Sequence, residues 1–159
     1  SIPDFPDPYK QGKVIMAIKK VLCVCIGNSD RSPVMAAVLG MFLKDAGHDV
    51  VCESAGISDS ARTGKAAPYG LTAAKKIGLD LSSHARQHIS AVDLKSYDLI
   101  VCASDEIAGT VIEAGADMKK VYNASITNPW PVQFQEDYDA QCMPAILSGM
   151  FRVVCRYFS

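Results

Sequence analysis

The 159-residue chain has no apolar run long enough to span a bilayer, and it has no surplus of either charge. Lys and Arg number 16 against 17 Asp and Glu, a formal net charge of −1. No strong global field therefore draws it to nucleic acid or to an anionic membrane, and neither is expected as a partner. Cys23 and Cys25 form a Cys-x-Cys pair, but no second pair of Cys or His stands at zinc-site spacing, so neither metal nor cofactor is expected. Internal repeats are missing, as are low-complexity tracts beyond the proline-containing start, which is not expected to be a signal peptide.

What is present suits one domain with one core: 49% apolar and 21% charged residues. Residues 1–13 read as a mobile or loosely packed arm, because Pro3, Pro6 and Pro8 forbid a helix or a central strand. Residues 14–159 read as the folded domain. The six cysteines, Cys23, Cys25, Cys52, Cys102, Cys142 and Cys155, mostly lie in apolar runs and not at the regular spacings of a disulfide framework. That usage points to a reducing, cytoplasmic setting.

Val21–Ile26 is an unbroken apolar run, as in a strand buried on both faces. Val50–Glu53, Leu99–Ala103 and Val121–Ile126 read as further strands. Helical spacing follows the first of these, with Ser32 as its N-cap and Pro33 at the first helical position. It appears again over residues 65–77, after Ser104, and from Met143 to Val154. Alternating strands and helices predict an α/β fold: a single three-layer domain, a parallel four-stranded sheet with helices on both faces. Ligands of such sheets bind beyond the carboxyl ends of the strands, which directs attention to the turn after the first strand.

That turn reads Cys25-Ile26-Gly27-Asn28-Ser29-Asp30-Arg31-Ser32. A strand-to-helix turn presents backbone N–H groups at a helix N-terminus and so forms an anion cradle, here from Ile26 to Arg31. Gly27 permits positive φ, and Asn28 tolerates it. Arg31 can offer a planar fork to two phosphate oxygens. The helix dipole and Arg31 both favour a thiolate at Cys25, which facing a bound monoester would be a nucleophile aimed at phosphorus.

The segment resembles the Cys-x-Gly-Asn-x-Cys-Arg-Ser-Pro signature of the low-molecular-weight protein tyrosine phosphatases. The likeness continues in Glu53-Ser54-Ala55-Gly56, in residues 78–82, in Ala85-Arg86-Gln87 and in residues 97–105. The resemblance implies phosphotyrosine or aryl phosphate hydrolysis through a cysteinyl-phosphate. Cys25 would be the nucleophile and Arg31 the phosphoryl binder. Asn28 would hold the loop, and Ser32 would donate to the thiolate. Implied partners are a phosphotyrosine protein or small aryl phosphate, with inorganic phosphate or another oxyanion as ligand. Ile26 and Trp130 would wall an aryl-binding cleft, the alternative for both being ordinary packing.

Two positions depart from the family pattern. Where the family supplies an Asp-Pro general acid, this chain has Asn128-Pro129, and loss of a positioned acid costs about 10²–10⁴-fold in rate. Asp137 or Asp139 would have to fold back to replace it. Asp30 stands where the family commonly has a second cysteine. Facing the cradle, it would repel a dianion and disfavour the thiolate; turned aside, it would hydrogen-bond helix or loop N–H groups. Two alternatives share the fold: a catalytically degenerate phosphate- or phosphopeptide-binding module, and an arsenate reductase, which needs downstream redox cysteines.

Overall fold

A computed structural model describes residues 17–159, so the expected N-terminal arm lies outside the described residues. The sheet consists of β1 (Lys20–Cys25), β2 (Val51–Gly56), β3 (Leu99–Cys102) and β4 (Val121–Asn123), in the order β2-β1-β3-β4. Every pairing is parallel: Cys25 lies in register with Gly56, Val24 with Cys102, and Cys102 with Asn123. The central strands explain the unbroken apolar runs, since Val21–Cys25 and all of β3 are buried. Edge strand β2 begins in solvent, with Val51 exposed.

Helices α1 (Arg31–Asp45), α2 (Pro68–Lys76), α3 (Asp105–Glu113) and α5 (Met143–Tyr157) surround this sheet, with a short turn α4 (Gln135–Asp137) before α5. Helix α1 packs on β1, β2 and α5, and α3 packs on β3 and β4. Val34, Met35, Val38, Leu39 and Leu43 of α1 enter the core, where α5 contributes Ile146, Met150 and Val153. α5 comes close to the segment after β4, for a Cβ at Gly149 would stand 2.5 Å from Ile126 Cδ1.

The chain leaves β1 for β2 on one side and later enters β3 on the other, so the carboxyl end of β1 is the switch point of the sheet. Cys25 is its last residue.

Four expectations need correction, the first being β4, which ends at Asn123 and not at Ile126. β2 runs through Gly56 instead of stopping at Glu53, because Gly56 pairs with Cys25 and its N–H donates to the Gln87 carbonyl at 2.9 Å. The second helix starts at Pro68, where the ring's fixed φ suits a first turn, and not at Lys65. Helix α1 starts at Arg31, one residue before the expected cap, so Ser32 is already helical and its hydroxyl is committed elsewhere. Ser104 does cap its helix, accepting from the Ile107 N–H at 3.2 Å.

Candidate active site

Between β1 and α1 the backbone turns sharply. Asn28 adopts φ 52°, a conformation made tolerable by bonding on every side. Its Nδ2 donates to Ser32 Oγ at 2.8 Å and to Ser54 Oγ at 2.9 Å, while its Oδ1 accepts the Gln87 N–H at 2.8 Å. His84 Nε2 lies 2.8 Å from the Asn28 carbonyl oxygen. The side chain is fully buried, so the loop is clamped from β2 and from residues 84–87 together.

With the turn held, the N–H groups of Gly27 to Ser32 donate to no backbone carbonyl or side chain among the described residues. They are free to serve an anion. The strand and the loop also sit tightly together: a Cβ at Gly56 would meet the Ile26 carbonyl oxygen at 2.6 Å and the Asn28 nitrogen at 2.8 Å.

Cys25 Sγ lies 2.9 Å from Ser32 Oγ. The same hydroxyl stands 3.2 Å from the Ala55 carbonyl. One hydroxyl proton can serve only one acceptor at a time, so it can point to the carbonyl beside a neutral thiol and to sulfur beside a thiolate. Arg31 is buried and donates from Nη1 to the Ile126 carbonyl at 2.9 Å. Its other guanidinium nitrogens have no partner among the described residues. Arg31 and Ile26 line one cavity of about 400 Å³ with Ser104, Asp105, Glu106 and Asn128.

Asn128 therefore borders the same cavity as Arg31, but its Oδ1 accepts the Trp130 N–H at 3.2 Å, which closes a local turn. Trp130 is half exposed and its ring lies 5.9 Å from that of Tyr69. Ile26 is exposed at the rim. Asp139 is no substitute acid: it pairs with Lys76 and accepts from Gln135, and these contacts hold its carboxyl below the usual range.

Asp30 makes no side-chain cap bond to the first N–H groups of α1. Its Oδ1 accepts the Tyr138 hydroxyl at 2.6 Å, a contact between residues far apart in sequence. Burial raises the Asp30 carboxyl, opposed by the Tyr138 hydrogen bond, the Arg31 charge and the Gly70 backbone. Tyr138 carries no motif that would announce it, and nothing in the local pattern foretells its partner. Ser54 and Gln87 lie in segments that carry the family likeness, which was the available signal for the clamp on Asn28.

A doubly wound parallel sheet with a nest of free amides at its switch point, a cysteine before it and an arginine after it defines a phosphate-handling α/β domain. The sequence pattern of the low molecular weight phosphotyrosine protein phosphatases matches residues 20–128, and the chain belongs to that family of phosphomonoesterases. No curated protein matches it. Among solved structures it is similar to Vibrio vulnificus Wzb in complex with benzylphosphonate, with 24% identity and TM-score 0.76, covering 88% of this chain and 99% of that one. Wzb from Escherichia coli with sulphate has 21% identity and TM-score 0.72, covering 87% and 98%. The YwlE arginine phosphatase, known from Bacillus subtilis, has 18% identity and TM-score 0.70, covering 86% and 95%.

Proposed function

We propose that the chain hydrolyses phosphotyrosine and related aryl phosphate monoesters through a cysteinyl-phosphate on Cys25. The observation that carries this reading is the clamped loop, in which Ser32 joins the Cys25 sulfur to the Asn28 scaffold. In the first step the thiolate attacks phosphorus, the S–P bond forms and the P–O bond to the aryl group breaks. Arg31 and the loop amides take the charge on the equatorial oxygens. Water then attacks phosphorus, the S–P bond breaks, and inorganic phosphate leaves with the thiolate regenerated. A phenolate leaves without protonation more readily than an alkoxide, which suits a site where Asn128 replaces an acid. Exposed Ile26 and Trp130 offer apolar contact to an aryl ring. The cytoplasm, which keeps thiols reduced, is the proposed setting, consistent with six unpaired cysteines.

Asn128 also favours a second reading, a module that binds phosphorylated ligands without turnover. An arsenate reductase gains no support, since Cys102 is fully buried in β3 and its thiol is pushed up to about 12 by burial. Aryl phosphate hydrolysis measured across pH, with Cys25→Ser as the blank, decides between them. Turnover abolished by that substitution supports the enzyme. Phosphate binding with no Cys25-dependent turnover supports the module.

A further inference from the structure

Asp30 sits inside the anion loop but gives its carboxylate to another part of the molecule. The residue is 4% exposed, and its Oδ2 accepts no hydrogen bond among the described residues. Helix α2 closes over it at Gly70, where a Cβ would stand 3.1 Å from both Asp30 Oδ2 and the Tyr138 hydroxyl. Arg31, next in the chain, makes no ion pair with it among the described residues; its Nη1 faces the Ile126 carbonyl instead. The titratable groups around the carboxyl are Arg31 from α1 and Tyr138 and Cys142 from the π-helical turn Tyr138–Cys142 between α4 and α5, the Cys142 thiol being raised by burial and by the Asp30 charge. Asp139, which also bears on Tyr138, is held in its pair with Lys76. A buried carboxylate with one side-chain hydrogen bond, the Gly70 backbone near it and no paired cation projects its charge through protein and not through water.

We propose that Asp30 is a specificity-determining residue that sets the charge of the oxyanion this loop accepts, with Tyr138 as the positioning residue that holds its carboxylate. The inference rests on the reading of the loop as an oxyanion cradle. An ionised Asp30 opposes a dianion more than a monoanion. Phosphate monoesters cross between these forms near pH ~6, so the difference falls where the substrate itself titrates. When Asp30 takes a proton the opposition ends, and dianion affinity rises. Burial lifts the carboxyl from 3.8 and brings that change closer to neutrality. The Tyr138 hydroxyl acts the other way, because its hydrogen bond favours the ionised form.

Sulfate is the probe of choice, since its charge stays fixed from mildly acid to neutral pH. Calorimetric titration is done in a Cys25→Ser background, so that no sulfur stands at the cradle. His84 beside the Asn28 carbonyl is common to every variant and cancels in the comparison. Asp30→Asn is expected to bind sulfate about tenfold tighter at neutral pH. The two curves should converge in acid as Asp30 takes a proton. Tyr138→Phe keeps the ring and its packing, and should move the rise in affinity to higher pH. Equal affinity with and without the Asp30 charge, or weaker binding in Asp30→Asn at every pH, overturns the inference and leaves the cradle intact. No sulfate binding in any variant overturns the cradle reading and this inference with it.

Discussion

Asn28 is the residue on which the loop's shape depends most directly. Its amide satisfies two hydroxyls and a backbone N–H, so truncation strands several buried polar groups at once. Each stranded group costs about 1–3 kcal/mol. Asn28→Ala is expected to lower the urea midpoint and to reduce kcat/KM together, because the same bonds hold the fold and aim Ser32. Asn128 is the opposite case, since its Oδ1 serves only its own turn. Asn128→Asp keeps that acceptor and adds an ionisable proton in the cavity that Arg31 also lines. Turnover of an aryl phosphate with a poor leaving group should rise by about 10²-fold, and an activated one much less. No gain with either substrate would show that residue 128 lies out of reach of the leaving oxygen.

At the scale of elements, the junction of β2 with the loop leaves no room for a side chain. A Cβ at Gly56 would also meet Ala61 Cβ at 2.6 Å, in addition to the loop backbone. Gly56→Ala is expected to displace the nest more than it disturbs the sheet. Oxyanion affinity measured by calorimetry should therefore fall further than stability measured in urea. Inside the sheet, the cysteines other than Cys25 are packing residues. Cys23 and Cys102 are buried, and burial raises the Cys23 thiol well above its ordinary value and Cys52 to about 12. Iodoacetamide at neutral pH should leave Cys23, Cys52 and Cys102 unmodified in the folded protein, as judged by mass spectrometry, and label exposed Cys155.

For the whole molecule, Asp30 makes stability depend on pH. Its folded-state carboxyl is raised, so the native chain holds this proton more firmly than the unfolded one. The contribution is fully present below the unfolded value of 3.8 and is lost as pH rises through the folded value. Denaturation midpoints of the wild type should therefore fall, relative to Asp30→Asn, as pH climbs through the window just above 3.8. Much of the architecture was legible beforehand, because buried parallel strands write themselves as unbroken apolar runs, as Val21–Cys25 and Leu99–Cys102 do. The loop was legible for a similar reason: glycine, asparagine and arginine each answer a local demand. What escaped notice depends on long-range contact. Tyr138 meets Asp30 across most of the chain, and β2 is prolonged by Gln87 and His88. The close approach of α5 at Gly149 belongs to the same class. Ile126 touches that helix with its side chain and accepts the Arg31 guanidinium with its carbonyl, so one isoleucine joins the outer scaffold to the proposed anion-binding cation. A methyl group added at position 149 will thus be felt at Arg31, and crowding in a distant helix becomes a means of tuning how firmly an oxyanion is gripped.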